Sequence, residues 1–272
     1  MSKRSELAKK IVAFASRWLL QNSVPKHRHL CDFPQICEKV QPGDVLLVEG
    51  RSRVSQVIQL MTQSPWSHAM LYIGSLDNII SPEARAILQN YPIVQEGTPL
   101  LIESELGSGT IISPLNKYQQ DHIRILRPEG ISAADTQKVI AYAVSRIGAH
   151  YDIRHILDLG RFLLPWHLVP QEWRLHWLDD RRSKPMEEIC SSMIAEAFQS
   201  IGFPILPMMQ EDFSQKIELI EANARFFTPS DFDFSPYFSV IKYPIFPVDQ
   251  PEYYHHLPWK SKESDPLPPF LD

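Results

Sequence analysis

The sequence predicts an α+β domain, and two observations carry that reading. Short apolar segments with the two-residue alternation of strands occur at 45–48, 68–73 and 111–115, with another ending at Glu103 and another at 123–126. Longer stretches at 54–61, 132–147 and 185–198 instead repeat apolar residues at helical spacing. The expected plan is four or five short antiparallel strands flanked by helices. With 272 residues, 44% of them hydrophobic, the chain can bury one core and still carry extensions.

Residues 1–40 read as an N-terminal helix and a linker. Leu7, Ile11, Phe14, Ala15 and Trp18 form an apolar face, and Lys3, Arg4, Lys9, Lys10 and Arg17 supply positive charge. Arg17 interrupts the apolar run and no small-residue cleavage site follows, so the segment is read as an amphipathic helix rather than an export signal. Packing on its own domain is the first expectation for it, and peripheral contact with an anionic membrane the second. His27, His29, Cys31 and Cys37 follow, but their spacing matches no common zinc pattern, and no metal or cofactor is expected.

Gly43 and Asp44 introduce the first strand, and a helix at 54–61 carries Gln59, a residue type able to line an oxyanion hole. The second strand opens with His68 and closes at Gly74, with His68, Met70 and Tyr72 on one side and Ala69, Leu71 and Ile73 on the other. A loop with one helix, 82–90, leads to the strand that ends at Glu103. Two more strands precede a helix over 132–147 that Ser132 caps, with Asp135 at the capping-box position. Beyond Phe203 one helix is expected between Gln210 and Asn223. Prolines then crowd the chain, and residues 241–272 read as a proline-rich tail that excludes long helices and central strands. His255 and His256, with Tyr253 and Tyr254, are expected on an exposed, extended part of that tail.

Three residue types suited to acyl transfer stand out along these elements. Cys190 lies near the start of a helix whose apolar stripe is Ile189, Met193, Ile194, Ala197, Phe198 and Ile201; Pro185 suits the first turn and Gly202 the end. A helix start favours a thiolate, the reactive form of cysteine, but Glu187 and Glu188 oppose that effect, so the thiol needs a base. His68 is the candidate base, and Glu103 the candidate that orients its imidazole, with Glu96 and Glu105 as neighbours able to take that role.

Taken together, Gly43-Asp44, Ser67-His68-Ala-Met-Leu-Tyr-Ile-Gly74, Ile102-Glu103-Ser104, Gly148-Ala-His-Tyr151-Asp152 and Cys190-Ser191-Ser192 resemble the permuted branch of the NlpC-type papain-like hydrolases, in particular the YiiX-like amidases. The likeness extends to Arg124-Ile-Leu-Arg127-Pro128 and Thr228-Pro-Ser-Asp231, and so covers about 41–240. It implies a permuted papain-like fold, a small antiparallel barrel or sheet packed against helices. It also implies a site in which Cys190 is the nucleophile, His68 the base and Glu103 the orienting group. Residues 153–184, rich in tryptophan and histidine, form an insertion relative to that pattern, so substrate identity does not carry over.

The resemblance implies a cysteine-dependent hydrolase of amide bonds, acting on a peptidoglycan-type peptide or another small amide through an acyl-thioester. A lipid acyl hydrolase or acyltransferase using the same site is the alternative, and an inactive ligand-binding member a third reading. The net charge of −5, with no basic run, excludes a nucleic-acid partner. Three cysteines suit a reducing compartment, and no apolar run is long enough for a bilayer, so the expected location is the cytoplasm.

Overall fold

The computed structural model describes residues 32–105, 108–149, 190–211, 217–243 and 251–257. The expected N-terminal helix, the His27, His29 and Cys31 part of the linker, Pro185 and the 153–184 insertion lie outside the described residues.

The elements are α1 (Phe33–Lys39), β1 (Val45–Glu49), α2 (Arg53–Thr62), β2 (His68–Gly74), α3 (Pro82–Leu88), β3 (Leu100–Glu105), β4 (Gly109–Pro114), β5 (His122–Pro128), α4 (Ala133–Ser145), α5 (Cys190–Gln199), β6 (Met208–Glu211), β7 (Ile217–Ile220), α6 (Pro229–Phe234) and β8 (Phe238–Ile241). Antiparallel pairing joins six strands in the order β4-β3-β2-β1-β5-β8. The sheet is open, with β4 and β8 as its edges, rather than closed into a barrel. This mixed sheet-and-helix architecture is the α+β, papain-like plan that the sequence implied.

Strand alternation divides the core in two. Val45, Leu47, Ala69, Leu71, Ile73, Ile102 and Leu126 pack under α4 and α5 with Val139, Ile140, Met193, Ile194 and Phe198. Leu46, Val48, Met70, Tyr72, Leu101, Ile123 and Ile125 form the opposite face, covered by Ile36 and Val40 of the α1 region and by Leu115. Phe198 is fully buried, and its ring stands 5.3 Å from that of Phe238 in an edge-on contact. Burying such a side chain contributes about 1.5–3 kcal/mol. Phe232 meets Phe238 in the same manner at 5.6 Å.

Several local choices are explained by single residues. Ser132 caps α4 by accepting from the Asp135 amide at 3.0 Å, as the capping-box pattern required. Gly43 turns the chain at φ +95°, a conformation open to glycine, and a Cβ there would stand 2.8 Å from Thr136 Cγ2. Directly after it, buried Asp44 accepts from Arg127 Nε at 2.9 Å and Nη2 at 2.8 Å, pinning the start of β1 to the end of β5.

Two expectations are corrected. The helix expected within 210–223 is instead the hairpin β6-β7, in which Met209 faces Leu219 and Gln210 faces Glu218. Leu219 and Ile220 stay largely exposed, so no core face selects helical spacing there. The sheet also gains a sixth strand, β8, between the prolines of the late segment. It is four residues long and pairs with β5 alone, the edge position that a proline-flanked strand can occupy. Tyr253–His256 is exposed as expected, but as one turn of 3-10 helix rather than extended chain. Among the described residues no helix is long and apolar enough to cross a membrane.

Candidate active site

His68 is the first residue of β2, at the end of the sheet, and its strand is placed by bonds on both sides. Its partner in register is Val48, whose carbonyl accepts from the Ser67 amide at 3.1 Å. Ser67 Oγ in turn accepts from the Gly50 amide at 2.9 Å. A Cβ on Gly50 would lie 2.6 Å from that oxygen and 2.3 Å from Ser55 Oγ, so the close approach that sets the start of β2 requires glycine.

β3 lies beside β2 with Glu103 opposite Met70, and alternation puts His68, Met70 and Glu103 on one face of the sheet. His68 Nε2 is 2.6 Å from Glu103 Oε2, a charge-assisted hydrogen bond in which the imidazole donates. Glu103 has no solvent-exposed side-chain surface, whereas His68 keeps 19%. The buried carboxylate is the anchored partner and the imidazole the one that can meet another molecule.

The carboxylate has two further donors from the 3-10 turn that follows β4, Leu115–Tyr118. Lys117 Nζ stands 2.7 Å from Glu103 Oε1, and the Tyr118 hydroxyl donates to Oε2. Lys117 also donates to Glu105 and, at 3.3 Å, to Ser113 Oγ. The Tyr118 ring lies 6.2 Å from the His68 ring. Burial by itself would raise the Glu103 pKa. The hydrogen bond from His68, with the charge and hydrogen bond of Lys117, outweighs it and holds the carboxyl well below its ordinary range. Burial pulls Lys117 down, and its bonds and charge interactions with Glu103 and Glu105 raise it overall.

Of the three glutamates read as candidates, Glu103 bonds His68, Glu105 bonds Lys117 one step away, and Glu96 sits in an exposed loop. Lys117 and Tyr118 were not anticipated. Their only trace in the sequence is a Lys-Tyr pair directly after the strand that pairs with the Glu103 strand. Gln59 does not line the site, because its amide nitrogen donates to the Gly50 and Pro65 carbonyls at 3.1 and 2.9 Å. That bond pair holds the loop leading to His68 in place. Cys37, on α1, is exposed.

Cys190 is the first residue of α5, so the described helix begins at the cysteine itself; its side chain lies outside the described residues. The direction of the helix is fixed by its neighbours. At its far end Phe198 packs on Phe238, which pairs with Pro128 at the far end of β5. Near its start Ser191 Oγ donates to the Phe227 carbonyl, just before α6. Asp233 of α6 accepts from Trp66 Nε1 at 3.1 Å and from Arg124 at 2.6 Å, and Trp66 precedes His68 by two residues. The helix thus runs with its first residue toward the His68 end of the sheet. It packs on the face opposite to the one from which His68 and Glu103 project. A groove bounded by Gln199, Phe203, Ile205 and Leu219 lies by the last turn of α5, reaches Phe227, and includes none of His68, Glu103, Lys117 and Tyr118.

A family model described as "Permuted papain-like amidase enzyme, YaeF/YiiX, C92 family" matches residues 39–161, a span that holds His68, Glu103, Lys117 and Tyr118 and ends before Cys190. No curated protein matches the sequence. A solved structure described as the metalloprotein YiiX from Escherichia coli O157:H7 is 16% identical, with a TM-score of 0.42 and coverage of 74% of this chain and 96% of that one. Residues 39–161 are thus similar to the permuted papain-like amidase family of YaeF and YiiX.

Proposed function

We propose that the protein is a thiol hydrolase of amide bonds, with Cys190 as nucleophile, His68 as base and Glu103 as the group that orients His68. The observation that carries this reading is the 2.6 Å bond between His68 and a fully buried, ionised Glu103 inside the segment shared with an amidase family. Its support from the backbone is the direction of α5, whose first residue is Cys190.

Because Nε2 donates to Glu103, the other ring nitrogen, Nδ1, is the one that takes the thiol proton. The meeting takes place around the end of the sheet, where His68 opens its strand. The Cys190 sulfur, once deprotonated, attacks the amide carbonyl carbon, and the carbonyl electrons move to oxygen. Amide N–H groups at the start of α5 stabilise that oxyanion. Collapse breaks the C–N bond, His68 returns its proton to the leaving amine, and a thioester on Cys190 remains. Water, deprotonated by His68, then releases the acid and the thiol.

The test is alkylation by iodoacetamide at pH 7, read by peptide mass spectrometry. Modification of Cys190 well ahead of Cys31 and Cys37, lost in His68→Ala, supports the reading. Equal labelling of the three cysteines, or Cys190 labelling indifferent to His68, refutes it. Incubation with peptide and lipid fractions, compared with Cys190→Ser, then separates amide from ester substrates by the mass lost.

A further inference from the structure

The His68–Glu103 pair does not stand alone, because a third charge lies against it. Glu103 is buried completely, and an ionised carboxylate in such a place requires compensation. With His68 as its sole cationic partner, the protein would hold the imidazole protonated, as the other half of an ion pair. A protonated imidazole cannot accept a thiol proton. Lys117 changes that balance: its ammonium stands 2.7 Å from the oxygen that His68 does not use.

We propose that Lys117 is a positioning residue of this site, which neutralises Glu103 so that His68 remains a neutral base near pH 7, with its proton fixed on Nε2. The inference deepens the hydrolase reading and rests on it for its functional meaning.

The geometry is specific in three respects. The three ammonium donors of Lys117 have three acceptors, in Glu103, Glu105 and Ser113. All three project from one face of the sheet, since Glu105 follows Glu103 by two residues and Ser113 pairs with Leu101, two residues before Glu103, which fixes the Lys117 head beside the carboxylate. The bond to Glu103 is the desolvated one, whereas Glu105 keeps 36% of its side-chain surface exposed. Screening by water therefore weakens the outer pair and spares the inner one.

The other described groups around His68 do not supply the same charge. Tyr118, from the same turn as Lys117, donates a neutral hydroxyl to Glu103. On the neighbouring strands Glu49 and His122 bond each other at 2.9 Å, and Arg51 bonds Asp121 at 2.8 Å. Glu105 acts in the opposite sense, as a second anion that draws on the Lys117 charge.

This makes two predictions of opposite sign for one measurement, the titration of the His68 ring followed by NMR and assigned through a His68→Gln variant. Lys117→Met should raise the His68 pKa by about one unit, the scale on which a neighbouring opposite charge acts. Lys117→Arg should restore it. Glu105→Gln, at a partly exposed position, should lower it by a smaller amount. Should Lys117→Met lose its circular-dichroism signature of folding, the Glu105→Gln arm alone decides. An unchanged or lowered pKa in folded Lys117→Met, or a raised or unchanged one in Glu105→Gln, overturns the proposal. The readout needs neither activity nor Cys190, so it separates this inference from the hydrolase reading, which the alkylation pattern tests on its own.

Discussion

His68 Nε2 and Glu103 Oε2 stand 2.6 Å apart although 35 residues separate them in the chain, and the fold achieves this by placing β2 and β3 side by side. Of the two, only the histidine has surface left to offer. Replacing the carboxylate by an amide keeps the shape and removes the charge that fixes the ring tautomer. Glu103→Gln is therefore expected to slow Cys190 alkylation at pH 7 by at least about tenfold. Turnover of an amide substrate should fall on the order of 10³-fold. A rate within twofold of the unaltered chain would show that Glu103 has no part in activating the thiol.

The same carboxylate gives the fold an acid limit. The Glu103 pKa is depressed in the folded state below its ordinary value of 4.5, so the group stabilises the fold above that pH and loses its contribution as pH falls further. Removing one member of a buried ion pair costs about 3 kcal/mol. Urea unfolding should accordingly separate the unaltered chain from Glu103→Gln by about that much at pH 7, and the gap should narrow below pH 4.5. A gap that stays constant down to pH 3 would contradict an ionised, buried Glu103.

Much of this site was legible in the sequence, and the limits have physical causes. His68 through Gly74 is a short, nearly continuous apolar run closed by glycine, the pattern of a strand buried on both faces, so its extent matched expectation. Glu103 stands at the polar end of an apolar run, two residues before its strand ends. Lys117 and Tyr118 sit on a single 3-10 turn, too short for any periodicity, and their partner precedes them by a strand and a turn. The β6-β7 pair misled because Met208, Leu219 and Ile220 remain exposed, so burial imposes no pattern on them. β8 was hidden by its length of four residues and by the prolines around it.

Arg127 and Asp44 give a prediction about stability rather than chemistry. Burial raises the Asp44 pKa more than its bonds to Arg127 and the Gln41 amide lower it, so the charged form is tolerated chiefly because Arg127 is there. Arg127→Met should cost about 3 kcal/mol at pH 7, by leaving Asp44 buried without its cation. A raised folded-state pKa means that the protonated form is the one the fold favours. The deficit of the variant should thus shrink as pH falls toward 4 and grow as pH rises. Denaturant midpoints at three pH values check the sign, and a deficit that widens in acid would reverse the account.

Gly50 connects stability to the site through one contact. A methyl group there meets Ser55 Oγ at 2.3 Å, Ser67 Oγ at 2.6 Å and Ser55 Cβ at 2.9 Å, distances at which atoms must move. Ser55 belongs to the first turn of α2, and Ser67 precedes His68, so the movement is shared between a helix start and the beginning of β2. Overpacking of this kind costs about 1–3 kcal/mol, which Gly50→Ala should show as a lowered urea midpoint. The amide that Ser67 Oγ accepts from is displaced as well, so the His68 ring loses its register relative to Glu103. Cys190 alkylation should fall further than the loss of folded protein explains. The double variant Gly50→Ala, Ser55→Ala removes the closest clash and keeps the Cβ contact, so it should recover part of both losses. Full recovery of alkylation in the double variant would place the effect at the helix and not at the start of the His68 strand.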